Sequence, residues 1–203
     1  MNSSDIMQAV NEISEQNPDY ELIAVIGASG KSLASSDGKE HDFSSKPYFN
    51  QSLSGRPVIY GPLLSKNTGK IILGFSSPIK TNESVSAVIL TFSSLDNLAS
   101  KLSKSAPGLS GDVYLVDPNG YLITPSRFDA VLNQKGLIRE NSALELNIQS
   151  FAAQQIRNGL NGTSEYRNYL GNSVLGSYAW LAEPEWGLIV EQNTDEIYKD
   201  IKI

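Results

Sequence analysis

The chain has no cysteine, which excludes disulfides, thiolate metal sites and cysteine nucleophiles together and leaves the redox compartment open. Its single histidine, His41, lies in the polar stretch Asp37-Gly38-Lys39-Glu40-His41-Asp42. A metal site there would need several ligands gathered by a flexible segment, so the stretch reads as a solvated loop, and no metal or cofactor is expected. Lysines and arginines are never adjacent, and 16 of them face 22 acidic residues for a net charge of −6. That balance argues against a nucleic-acid or anionic-membrane surface. No apolar run approaches the roughly 18 residues of a membrane helix, and the first residues lack the charged and apolar regions of a signal peptide. The chain is expected to be soluble as it stands.

Catalytic motifs are missing as well. There is no Gly-x-Ser-x-Gly elbow and no glycine-rich phosphate loop, and Ser76 and Ser77 fall in a strand pattern with no base nearby. A hydrolase working through two carboxylates that converge only in space stays open as an alternative. The main expectation is no catalytic residue and no enzyme.

What is present is ordinary globular material, 40% hydrophobic and 19% charged, enough for two small modules that stabilise one another. Ile6, Met7, Val10 and Ile13 share one helical face, with Ser3 or Ser4 as caps and Asn17-Pro18 as the stop. Leu22 to Ile26 and Lys31 to Ser35 flank Ala28-Ser29-Gly30 as a hairpin. Ninety positions later, Val113 to Asp117 and Tyr121 to Thr124 flank Asp117-Pro118-Asn119-Gly120, which suits a type I turn.

Two further blocks repeat in the same order. Gly69 to Ser76 matches Gly171 to Tyr178 in its glycine spacing, and Ala87-Val88-Ile89-Leu90 pairs with Gly187-Leu188-Ile189-Val190. The shared order implies two similar halves. Strands are expected at Pro57 to Tyr60, Lys70 to Ile79 and Ser84 to Phe92, then at Thr163 to Asn168, Ser173 to Leu181 and Trp186 to Gln192. Their connections are too short for parallel crossovers, so the fold class is α+β with mainly antiparallel sheets. Leu95, Leu98, Ala99 and Leu102 form a helix ending at Ala106-Pro107-Gly108, and Thr194 caps a last helix with Asp195 and Glu196 in its first turn.

The stretch Asp42-Phe43-Ser44-Ser45-Lys46-Pro47-Tyr48-Phe49-Asn50-Gln51-Ser52-Leu53-Ser54-Gly55 resembles the double Cache pattern, in which an Asp-x-Ser-x-basic-Pro-Tyr-Phe segment leads through Gly into the third strand. Gly162 to Tyr166, Val174 to Leu181 and Trp186 to Gln192 resemble the second module of that family, notably its histidine kinase branch. The similarity runs from about Tyr20 to Tyr198. It implies two tandem PAS-like modules joined by an N-terminal helix: helix 1–19, a membrane-distal module 20–105, a membrane-proximal module 106–193, and a helix 194–203 leading to the membrane. The implied function is an extracytoplasmic, ligand-sensing domain of a membrane-anchored receptor, most like those of histidine kinases. A chemotaxis receptor, a diguanylate cyclase or a closed spacer module are the alternatives.

The expected partner is a small polar or anionic molecule, and the N-terminal helix is a candidate homodimer surface. Lys46 and Tyr48 of the capping segment are expected to face Tyr60, Ser77 and Phe92 of the sheet around a concave pocket, with Lys46 bonding an anion. Amino-acid-binding members carry Arg-x-Trp-Tyr and a late Asp where this chain has Lys46-Pro47-Tyr48-Phe49 and Phe92, which speaks against an amino-acid ligand. The fallback site is in the second half, around Tyr114, Tyr121 and Tyr178.

Overall fold

The computed structural model describes residues 3–199, and the chain divides after Asp96 into two compact units. The first begins with α1 (Ser3–Gln16). Val10 is fully buried, and Ile6 and Met7 pack with it against Ile23, Val25, Ala34 and Ala87, so the helical period of the apolar residues is what docks this helix. Asn17 closes it by donating its side-chain amide to the Ile13 carbonyl, and Pro18 cannot continue it.

Five antiparallel strands follow, in the order β2-β1-β5-β4-β3: β1 (Tyr20–Gly27), β2 (Ser32–Ser35), β3 (Val58–Leu64), β4 (Ile71–Thr81) and β5 (Ser84–Ser94). The helix α2 (Pro47–Leu53) lies between β2 and β3 in sequence. Register sorts the side chains. Leu22, Phe92, Gly74 and Tyr60 stand in one row across β1, β5, β4 and β3, and Ala24, Leu90, Ser76 and Val58 in the next. This face packs against α2, while Ile23, Val25, Ala87 and Ile89 turn to α1.

After α3 (Asp96–Lys104), the second unit holds an antiparallel sheet in the order β6-β9-β8-β7. Its strands are β6 (Asp112–Val116), β7 (Gly162–Arg167), β8 (Ser173–Leu181) and β9 (Trp186–Asn193), with α4 (Asp129–Gln134), α5 (Phe151–Arg157) and α6 (Thr194–Ile197) around them. Ala152, Ala153 and Ile156 of α5 pack on Tyr114, Val116, Tyr178 and Ile189. Ser150 caps this helix, its hydroxyl accepting from the Ala153 amide.

The turn of the first hairpin is repeated in the second unit. Gly30 N–H bonds to Gly27 O and Gly27 N–H to Lys31 O, and Gly120, Asp117 and Tyr121 repeat the arrangement. The glycine repeat has a structural cause as well. Gly69 and Gly171 turn the chain with positive φ. Gly74 and Gly176 leave no room for a Cβ, which would come 2.9 Å from the Phe92 ring and 2.6 Å from the Tyr166 ring.

Three expectations are corrected. Tyr121 to Thr124 forms only isolated bridges, because the Thr124 hydroxyl takes the Leu115 amide and Leu122 bonds instead with Leu146 and Leu144. The third repeated block is offset by one: Ile26 pairs with Val88 where Val116 pairs with Gly187, so Val88, and not Ala87, is the counterpart of Gly187. Lastly, Asn193 and not Thr194 occupies the position before α6; the Thr194 hydroxyl donates to the Ser173 carbonyl. The expected helix 194–203 is one turn in its described part, and residues 200–203 lie outside the described residues.

Candidate functional site

In the first unit, the segment before α2 crosses the β1–β2 hairpin. Gly30, at φ +85, permits this, since a Cβ there would lie 2.6 Å from the Ser44 nitrogen, and the Phe43 amide bonds to the Gly30 carbonyl. Asp42 accepts from the Ser44 amide, and Pro47 at the first helical position starts α2 with φ already set. The helix thereby delivers Tyr48 and Phe49, both buried, onto the sheet.

The Tyr48 ring lies 4.4 Å from that of Tyr60 and meets Phe92 edge-on at 6.3 Å, within the range of favourable aromatic pairs. Burial, and secondarily Tyr60, pushes the Tyr48 phenol up to about 12, so it stays neutral at ordinary pH. Tyr60 and Phe92 are half-buried. Three of the five residues expected at the site are thus together, and Lys46 is exposed at the start of α2. Ser77 is not with them. It pairs with Ile89, on the face that turns to α1, and it is Ser76 that is buried and donates to the Tyr48 carbonyl, at 3.3 Å. Adjacent strand residues point to opposite faces, so one position of register decides between them.

The second unit places acids where the first has apolar groups. By register, Asp112, Glu191 and Gly176 occupy the row that Leu22, Phe92 and Gly74 occupy in the first unit. Asp112 and Glu191 are each 1% exposed. Glu191 accepts from the Tyr114 hydroxyl at 3.1 Å, the Tyr166 hydroxyl at 3.0 Å and the Asn168 amide at 2.9 Å. Asp112 accepts from the Tyr169 and Ser126 hydroxyls and from the Val113 amide. Of the fallback tyrosines, Tyr114 and Tyr178 are buried in this core and Tyr121 is 40% exposed.

Sequence reasoning missed both acids. The signal for Glu191 was in the strand itself, because two-residue alternation puts it on the same face as the fully buried Ile189. His41 bonds to Asp37 at 3.0 Å. Among the described residues no group of three or more His, Asp or Glu is placed to hold a metal, and no helix is long and apolar enough to cross a membrane.

The Cache domain family model, dCache_1, matches residues 2–201. No curated protein sequence matches significantly. The sensor domain of the V. cholerae histidine kinase DctB is similar in fold, with a TM-score of 0.62 at 16% identity over 95% of this chain and 79% of that one. The ligand-binding domain of the Pseudomonas aeruginosa PAO1 amino-acid chemoreceptor PctC, solved with GABA, gives 0.67 at 16% identity over 95% and 82%. That of the Campylobacter jejuni chemoreceptor Tlp3, solved with 4-methylisoleucine, gives 0.69 at 14% identity over 98% and 75%. With an α+β architecture of two antiparallel sheets and a family match over nearly its whole length, the chain belongs to the Cache domain family of sensory domains.

Proposed function

We propose that this chain is the extracytoplasmic ligand-sensing domain of a transmembrane receptor, most like that of a histidine kinase, and that its first unit is the membrane-distal, ligand-binding one. The ligand is a small polar or anionic metabolite held between α2 and the sheet. The observation that carries this reading is the stack of Tyr48 on Tyr60 and Phe92, with Lys46 leading into the same helix. Half-buried aromatic walls supply the apolar surface of a small-molecule site, and Lys46 supplies one charged donor. Ser76, on the same face, takes the place expected for Ser77.

The absence of an acid at Phe92 favours a ligand without an ammonium group, which separates this reading from the amino-acid ligand named for PctC. Signalling requires the ligand to favour one of two states of the receptor, since equal affinity for both shifts nothing. The N-terminal helix is the proposed homodimer surface.

A thermal-shift screen against a metabolite library tests the function. A ligand that binds only the folded chain stabilises it by about 2.7 kcal/mol at a hundredfold excess over Kd. Binders drawn from carboxylates and other anions support the reading. Turnover of a binder, or silence across the library, contradicts it.

A further inference from the structure

Asp112 and Glu191 are Cα partners in the ladder between β6 and β9. The groups that face them are neutral: Tyr114 from β6, Tyr166 from β7, Tyr178 beyond it on β8, Asn168 and Tyr169 from the loop after β7, and Ser126 with the Arg127 amide. The phenols of Tyr114, Tyr166 and Tyr169 are pushed upward by burial and then by the facing carboxylates, so they act as neutral donors.

Neither acid has a Lys, Arg or His partner among the described residues. The Arg127 guanidinium is taken by the carbonyls of Gly108 and Gly111 and lies over the Phe128 ring. Of the carboxylates on neighbouring helices, Asp129 accepts from the Ser142 amide through Oδ2 while its Oδ1 is buried without a partner, and Glu196 accepts from the Leu109 and Ser110 amides. A second acid facing Glu191 across the ladder, with no cation to offset it, favours the neutral form of Glu191.

We propose that the Asp112–Glu191 pair of the second unit is a proton-binding site that makes this unit responsive to the pH of its surroundings. Burial raises the Glu191 carboxyl to about 7, opposed by its three donors and assisted by the Asp112 charge. A cavity of about 350 Å³ is lined among others by Ser110, Asn168, Leu170 and Asn193, and Asn168 donates its side-chain amide to Glu191.

Ionised Glu191 accepts from three donors. Protonated, it must itself donate, and one hydroxyl has to become the acceptor. Of the two hydroxyls that share one Glu191 oxygen, that of Tyr166 is the less buried and sits on the edge strand β7, so on proton uptake its bond to Glu191 reverses from donor to acceptor and the tie between β7 and β9 changes with protonation. This site does not depend on the metabolite site of the first unit.

Infrared difference spectroscopy on the full chain between pH 5 and 8 tests it. The carbonyl band of a protonated carboxylic acid disappears with a midpoint near 7 in the wild type and is missing in Glu191→Gln. Asp112→Asn, which keeps Glu191 and removes the facing charge, moves the midpoint down, and it decides the matter alone should Glu191→Gln fail to fold. The proposal is overturned if no such band titrates between pH 5 and 8, if the band persists in Glu191→Gln, or if Asp112→Asn leaves the midpoint in place.

Discussion

Replacing Glu191 by glutamine should reverse its effect on stability between acid and alkaline pH. Folding raises the Glu191 carboxyl from the ordinary 4.5 to about 7, so between those values the folded chain binds a proton that the unfolded chain has released. Stability therefore falls as pH rises from 4.5 to about 7 and levels off above it, by a total of about 3 kcal/mol. Glutamine never ionises and escapes that loss. It has its own cost: Asn168 is fixed by accepting from the Leu170 and Asn172 amides, so its side-chain amide can only donate. With the glutamine oxygen turned to the tyrosines, two N–H groups meet, and about 1–3 kcal/mol is lost.

The wild type should accordingly be the more stable protein at pH 5, the gap should narrow through pH 6 to 7, and the variant should match or exceed the wild type at pH 8. For a unit of roughly 100 residues, each kcal/mol moves Tm by about 4–8 °C, so calorimetric melts of both proteins across this range resolve the effect. Taking the difference between them cancels the contributions of the other titrating groups. A difference that stays constant from pH 5 to 8, or one of opposite slope, refutes the reasoning.

Gly176→Ala should cost about 1–3 kcal/mol, because the new methyl occupies the space of the Tyr166 ring and detaches its hydroxyl from Glu191; denaturant melts measure this. Tyr48→Ala should destabilise the first unit by about 3–5 kcal/mol, and Tyr48→Phe by far less, since it keeps the ring between Tyr60 and Phe92. Glu196 is held at about 2 by the Leu109 amide and by the Ser110 hydroxyl and amide. Glu196→Gln should therefore speed amide exchange at Leu109 and Ser110, with little change elsewhere.

The parts of this structure that were legible in the sequence are those set by short-range rules. The apolar face of α1, both Gly-closed turns and the repeated glycine spacing each follow from helical period, turn geometry or the lack of a Cβ, and each is present. What was not legible depended on register or on partners distant in the chain. Ser76 and Ser77 are interchangeable in a strand pattern until the ladder places Ser76 opposite Leu90. The return of the second hairpin could not be foreseen as broken, because the competing acceptors, Leu146 and the Thr124 hydroxyl, belong to loop packing. Glu191 was readable as inward-facing, but its charge problem was not, for Asp112 meets it only once β6 and β9 pair.

The most direct test of a ligand site in the first unit is calorimetric titration of Lys46→Met with the metabolite that emerges from the thermal-shift screen. Loss of a lysine paired with an anion in a partly desolvated site costs roughly 2–5 kcal/mol, a factor of about thirty or more in Kd, whereas an exposed lysine that touches no ligand costs almost nothing. A drop in affinity of that size, with the melting temperature of the free protein unchanged, is the predicted result. Unchanged affinity in Lys46→Met would contradict it and move the ligand away from α2.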